Sequence, residues 1–428
     1  MLKRTLLPAD PVARALSLAT MAGSLSTGLF YSVSALYFTT VIGLSATTVG
    51  TGLTIAGAAG VAGSYVGGRL ADRFGPDRVQ QVSTVVQAVA LLAYVAADDV
   101  ASFVLIACVA VASRAVQGTA KQTLLARWFT GPDRVEVRAR LRVVTNVFIG
   151  LGTVLAALAL LVGTATAYRT TMVVVGVVAL AAAVPLGGLR ARVSGLADAL
   201  RPLRGRHAAP DVPHGRSPLR DRTYLTSTAL TSVMALQFGL QNVGVPLWVA
   251  HHTEAPDVMV SVLLLTNTVL VAAVQVRASR GTHEVLTAGR AVRRAGLLLA
   301  VACLVLAASG SVGVVAAIVL LLVAEVASTA GEILSEAGTW GLAFELADPR
   351  NAGAYQGVSQ MGYSVAGMVA PLVVTATAIE HGTVGWVVLG AVFATAGALV
   401  AVVAARASRA PVAVPAPAGA PGAVEAGV

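Results

Sequence analysis

Gly68-Arg69-Leu70-Ala71-Asp72-Arg73-Phe74-Gly75-Pro76-Asp77-Arg78 is a compact charged stretch set between two long apolar runs. Gly68 and Gly75 permit tight turning and close approach of backbones, and Pro76 punctuates the turn. Asp72 supplies a carboxylate that can accept hydrogen bonds at a helix N-terminus, where the helix dipole favours negative charge. Soluble chains rarely place such a stretch between apolar runs of this length. The setting is that of a turn joining two membrane-crossing helices.

Composition agrees. The 428 residues are 56% hydrophobic and 12% charged, against roughly 25% charged in soluble domains. Abundant Ala, Val, Gly and Leu provide apolar helices with small residues on their faces, which allow close helix contacts in lipid. A spanning helix needs about 20 mostly apolar residues. Such runs occur at approximately 13–40, 47–70, 79–98, 101–126, 143–163, 170–189, 223–250, 257–278, 295–310, 312–337, 353–378 and 385–405. The expected fold class is therefore an all-α integral membrane protein with twelve transmembrane helices. The first run follows Lys3, Arg4 and Arg14, but it is longer than the 7 to 15 residues of a signal-peptide core. Phe30, Tyr31, Tyr37 and Phe38 also fill its outer half, where a cleavage site needs small residues.

Basic residues alternate between loops, and Lys and Arg accumulate on the cytoplasmic side of a membrane. Arg69, Arg73 and Arg78 flank one loop. Arg127, Arg134, Arg138, Arg140 and Arg142 fill a second, and Arg277, Arg280, Arg290, Arg293 and Arg294 a third. The intervening loops carry Asp98, Asp99, Glu254, Asp257 and Glu380 with only Arg169 as a basic residue. Both termini are expected in the cytoplasm, with the chain multi-pass in the cytoplasmic membrane. The net charge of +10 then reports topology and contact with anionic lipid headgroups. Nucleic acid is not an expected partner, because no aromatic residues interleave with the basic ones.

Residues 190–222, with eight arginines and four prolines, read as a cytoplasmic linker between an N-terminal six-helix bundle (1–189) and a C-terminal one (223–406). The Pro/Ala/Gly-rich tail, 407–428, reads as disordered. A repeat supports the division. Val111-Ala112-Ser113-Arg114-Ala115 recurs as Val326-Ala327-Ser328-Thr329-Ala330 at an offset of 215 positions, which sets Gln117 opposite Glu332 and Lys121 opposite Glu336. Cys108 and Cys303 fall inside helices and read as small packing residues rather than a disulfide.

Gly68, Asp72, Arg73, Gly75 and Arg78 resemble the signature between helices 2 and 3 of the major facilitator superfamily, and Arg114-Ala115-Val116-Gln117-Gly118 resembles its helix 4 signature, Arg-x-x-Gln-Gly. The resemblance implies two six-helix bundles related by pseudo-symmetry, with a substrate site at the midplane between them. It also implies that Asp72 caps a neighbouring helix and pairs with Arg, so that the loop acts as a conformational latch, and that Arg114 takes part in proton coupling. The two motifs look most like those of twelve-helix drug and metabolite proton antiporters. Two departures stand out. Pro76 and Asp77 occupy positions where the family usually has basic residues, and the fifth helix offers Gly150 and Gly152 without the family's usual Gly-Pro.

Charges inside apolar spans are expensive and call for a partner or a watery cavity. Arg114 and Lys121 lie seven residues apart on one face of the fourth span, although Lys121 could equally reach the interface. Glu325, Glu332 and Glu336 form one stripe on the tenth. Burial and a nearby Arg act in opposite directions on a carboxylate, the physics needed to take and release protons. Glu325 and Glu332, with Arg114 as counter-charge, are the expected proton-coupling residues; the competing reading is a structural ion pair. Glu336, near the helix end, suits a solvated or Arg-paired role.

Tyr31, Ser34, Tyr37, Gln117, Asn146, Gln237, Gln241, Asn242, Asn267, Gln360 and Tyr363 are polar residues within apolar spans and candidates to line a substrate cavity. Each also has a plainer reading as an interhelical hydrogen bond. A small, partly apolar or anionic substrate suits Arg114 better than a dication. His251 and His252 are adjacent and diverge on a helix, so no metal site is expected, and no phosphate-binding loop, nucleophile triad or cofactor motif is present. The expected function is proton-coupled efflux of a small organic molecule by a monomer, without enzymatic activity. Its partners are then the small-molecule substrate, protons and membrane lipids. A proton-coupled importer and a non-transporting receptor or scaffold are the alternatives.

Overall fold

The computed structural model describes residues 7–200 and 216–409. Lys3, Arg4, the linker arginines Arg201, Arg204 and Arg206, and the tail from residue 410 lie outside the described residues. Twelve long helical segments follow in order: α1 Pro11–Leu36, α2 Ala46–Phe74, α3 Pro76–Ala93, α4 Val100–Trp128, α5 Pro132–Val162, α6 Ala165–Ala181, α7 Arg222–His252, α8 Val258–Ala278, α9 Val285–Ser309, α10 Val314–Glu345, α11 Ala352–Val374 and α12 Gly382–Arg409. Ten of them are long and apolar enough to cross a membrane; α6 is a shorter apolar helix, and α1 runs on through a π-helical turn, Tyr37–Val41. A second π-helical turn, Leu240–Gly244, interrupts α7.

Local chemistry sets the ends. Asp10 caps α1, its carboxylate accepting from Ala13 N at 2.7 Å, with Pro11 in the first turn. Asp99 and Ser102 form a reciprocal capping box on α4, which satisfies two donors that a helix start leaves free. The turn from α2 to α3 depends on Gly75, whose φ of +93° lies where a Cβ is unfavourable. Pro76 then opens α3 with a φ already suited to a helix.

The first six helices pack together, α1 against α5 and α6, α2 against α4, and α3 against α4 and α6. The second six repeat the pattern, with α9 against α10 and α12, and α7 against α11 and α12. Packing at the α1–α5 crossing brings backbones together: a Cβ on Gly28 would overlap the Ile149 carbonyl, and one on Gly152 the Leu25 carbonyl. Close glycine contact is thus how α5 approaches α1, without the Gly-Pro pair of the family pattern. Tyr37, Phe38, Tyr94 and Phe103 form an aromatic cluster in the first bundle, and Trp248, Trp386 and Phe393 anchor the second.

All the arginine-rich turns gather at one end of the bundles, here called the basic end. There the two halves touch. α2 and α11 run antiparallel through Gly68–Gly353, a Ser64–Ser364 hydroxyl pair at 3.1 Å, and Gly57–Met368. Beyond that seam Leu53 and Leu372 are 42% and 71% exposed. The halves therefore meet at the basic end.

One expectation needs correction, and the expected linker gains a structural detail. The fifth span was expected over 143–163, with Arg134, Arg138, Arg140 and Arg142 in a loop, but α5 starts at Pro132, so all four are helical. Its apolar periodicity begins with Val135, Val137 and Ala139, which are buried, and charge density hid it. The start of the expected linker is also folded: Leu189–Arg192 and Leu196–Ala199 form single helical turns, with Leu189, Leu196 and Leu200 buried beside Leu16, Leu124 and Phe129.

Candidate functional site

At the basic end Asp72 reaches from α2 to the start of α11. Its carboxylate accepts from Gly353 N at 2.9 Å and Ala354 N at 2.8 Å, and from Arg127 Nη2 at 2.6 Å. Two free amides of a helix N-terminus, a dipole and a guanidinium converge on one half-buried anion. Gly68 makes this possible, since a Cβ there would overlap the Gly353 carbonyl. Arg127 had been grouped with loop charges; it is the last-turn residue of α4 and supplies the pairing Arg. Arg73 and Arg78 take no part in the cap. Arg73 lies over the Phe74 ring, and Arg78 borders an apolar groove of about 520 Å³ between α2, α3 and α4. Asp77 is buried and gripped by Arg190, Nε and Nη2 each donating at 2.6 Å. A planar guanidinium suits such two-pronged contact.

Deeper along the interface, Arg142 of α5 crosses to α10. Its Nη2 donates to Glu332 Oε1, and its Nη1 to Glu336 Oε2 at 2.7 Å. The remaining carboxylate oxygens are also occupied. Glu332 Oε2 accepts from Gln241 Nε2 at 2.7 Å and Asn267 Nδ2 at 2.8 Å, and Glu336 Oε1 accepts from the Tyr363 hydroxyl at 2.7 Å. Phe238 and Trp340 cover the guanidinium. Glu332 and Glu336 are both buried, so α5, α7, α8, α10 and α11 meet at one cation and two anions.

Glu325 is buried two turns away and joins this group indirectly. Thr329 Oγ1 donates to Glu325 Oε1 at 3.0 Å and accepts from Asn267 Nδ2 at 3.1 Å, while Asn267 also donates to Glu332. Arg114 is not the counter-charge of these acids, as the sequence had suggested. Its Nη1 donates to the Tyr31 hydroxyl at 2.7 Å, both residues are exposed, and Arg142 holds the carboxylates instead. The register explains this: α4 and α10 are equivalent helices of the two halves, so the residue that faces α10 comes from α5.

The other candidates divide. Gln241, Asn267 and Tyr363 converge on the two carboxylates. Gln360 faces the α4 surface at Gly118, 4.0 Å from where a Cβ would stand, and Asn146 lies one turn beyond Arg142 on α5. Gln117 donates to Thr84 Oγ1 at 2.5 Å within the first bundle. Asn242 donates to Phe238 O at 2.7 Å. Gln237 is buried, and neither side-chain polar atom has a partner among the described residues. Ser34 is buried on α1. Tyr37 does not join the group; it sits in the aromatic cluster and donates to Tyr94 O at 3.2 Å. His252 stacks on Trp248 at 4.4 Å.

The sequence profile described as Major Facilitator Superfamily matches residues 16–371. Among functionally curated proteins, no sequence matches the chain. Solved structures share the fold at low identity. The human organic anion transporter MFSD10 (TETRAN) has a TM-score of 0.66 at 16% identity, covering 92% of this chain and 99% of its own. A bacterial homologue of the iron transporter ferroportin, captured outward-facing, has a TM-score of 0.68 at 14% identity, covering 93% and 99%. The proton:xylose symporter XylE has a TM-score of 0.60 at 13% identity, covering 90% and 94%. With twelve helices in two matched bundles, an aspartate-capped seam between them and a sequence profile spanning most of its length, the chain belongs to the major facilitator superfamily of transporters.

Proposed function

We propose that the protein is a secondary active transporter that exports a small organic molecule in exchange for protons, with its basic end and both termini in the cytoplasm. One observation carries the proposal: Glu332, a carboxylate buried within a membrane helix, holds Arg142 of the opposite bundle. A proton on Glu332 removes the charge that grips Arg142 and loosens the basic end. When that end reseals, the ion pair reforms and the proton must leave. Binding of protons and opening of the site are thereby linked, as a coupled carrier requires. Glu325, tied to Glu332 through Thr329 and Asn267, is the second protonation site, nearer the far mouth. Likeness of the two motifs to proton antiporters supports outward flux of the substrate. The neighbours' printed substrates range from organic anions to iron and xylose, so the fold leaves the cargo open.

Acidified inside-out vesicles, followed with a pH-sensitive dye while amphiphilic metabolites and antibiotics are added, provide the test. Compound-triggered proton release is expected, and its loss in Glu332→Gln and Glu325→Gln. Release that persists with unchanged pH dependence in both variants would refute the coupling assignment. Release only when the compound is preloaded in the vesicle lumen would make the protein an importer.

A further inference from the structure

The interior between the seam and the far mouth carries four cations, Arg114, Lys121, Arg138 and Arg142, against three carboxylates, Glu325, Glu332 and Glu336. The pairing is more lopsided than the count. Arg142 alone takes Glu332 and Glu336, and Glu325 is bound to Thr329. Among the described residues, Arg114, Lys121 and Arg138 therefore have no carboxylate in salt-bridge contact. Arg138 lies over Trp340 and Phe344, within electrostatic reach of Glu336, and its buried Nη1 has no hydrogen-bond partner among the described residues. Lys121 lies within electrostatic reach of both Arg138 and Arg114.

Placement makes this surplus accessible to cargo. Arg114, Gly118 and Lys121 share one face of α4, which meets Gln360 of α11 at Gly118 and leaves Arg114 exposed and Lys121 half-buried on either side of that contact. Arg114 and Lys121 are separated by seven residues, about 10 Å along the helix. An anion reaching this face meets a guanidinium and a phenol, Tyr31, at one level and an ammonium within electrostatic reach of Arg138 at the other. Arg114 is exposed, Lys121 and Arg138 are half-buried, and an arriving anion relieves the repulsion among these like charges.

Resting on the transport reading above, we infer that the cargo is an organic monoanion, a carboxylate with an apolar body, whose charged group binds Lys121 between Arg114 and Arg138. A neutral or cationic isostere leaves the positive surplus uncompensated and is rejected. Glu332 and Glu336 stay paired with Arg142, and Glu336 lies within electrostatic reach of Arg138 without contacting it.

The test uses the purified full chain in lipid nanodiscs and a panel of aryl and alkyl carboxylates, each matched with its carboxamide and its primary amine. Binding is followed by thermal shift and by tryptophan fluorescence, since Trp340 lies under Arg138. Carboxylates are expected to bind at least tenfold tighter than their amides. Lys121→Gln is expected to remove that preference, and Lys121→Arg to keep it within threefold. Equal binding of amides or amines, absence of binding by every carboxylate, or an unchanged preference in a well-folded Lys121→Gln overturns the inference. The vesicle assay separates this from failure of the transport reading. Proton release triggered by amines or amides would leave transport standing and remove the anion site. No release by any compound in the three sets would remove both.

Discussion

Replacing Asp72 by Asn tests the latch directly. Asp72 accepts two backbone hydrogen bonds from α11, at 2.9 and 2.8 Å, and one from Arg127 of its own bundle. Only the first two are broken when the bundles separate at the basic end, so the Arg127 pair cancels between the two states. Hydrogen bonds to a charged group contribute about 1.5–3 kcal/mol each, and neutral ones about 1. An Asn keeps at most one acceptor toward the two amides. The closed state then loses about 3 kcal/mol relative to the open one, roughly a 150-fold change in their ratio. Spin labels at Thr130 and Arg280, exposed at the basic end of the two halves, report the separation in a chain with Cys108 and Cys303 replaced by Ala. Asp72→Asn should move the population from the short to the long distance. An unchanged distribution in folded protein would show that Asp72 does not bias the two states.

Gly68→Val should act in the same direction by bulk, because any Cβ at this position overlaps the Gly353 carbonyl; normal surface expression with abolished transport is the expected pattern, scored by flux assay and size-exclusion profile. Arg142→Gln leaves Glu332 and Glu336 buried without their cation, a loss of about 3–5 kcal/mol. Its thermal unfolding midpoint should fall, and the triple variant with Glu332→Gln and Glu336→Gln should recover part of the loss. Tyr37→Phe removes a 3.2 Å bond to Tyr94 O and a hydrogen bond with Arg169, so it should cost about 1–2 kcal/mol of stability and leave flux unchanged. Tyr31→Phe, which frees Arg114, should instead alter substrate affinity in the same flux assay.

The turn at Gly75-Pro76 and the run of apolar segments were legible because they depend on local sequence: composition, length and glycine or proline punctuation. The repeat around Arg114 and Ser328 was legible for the same reason. Pairings across the molecule were not. Arg142 sits in a cluster with Arg138 and Arg140, and density of charge made the first three turns of α5 look like a loop. Only the packed bundle reveals that Arg142 points to α10 while Arg140 pairs with Glu136 on its own helix. Asp77 shows the same limit. It stands where the family pattern has a basic residue, and its balancing charge, Arg190, comes from 113 positions further on. Tyr31 and Tyr37 lie on one helix less than two turns apart, yet one touches Arg114 and the other belongs to the aromatic core.

The grip of Arg190 on Asp77 fixes where this chain can be divided into separately made parts. Leu189, Leu196 and Leu200 belong to the packing of the first six helices, so that half extends past the end of α6. Two co-expressed pieces broken after residue 200 keep the α2–α3 turn clamped and the leucines covered. A break at residue 189 strips the turn of its guanidinium and bares Leu16 and Leu124 to solvent. Reassembly of the first pair into a working carrier, and failure of the second, would follow from one arginine and three leucines that lie beyond the last apolar helix of their half.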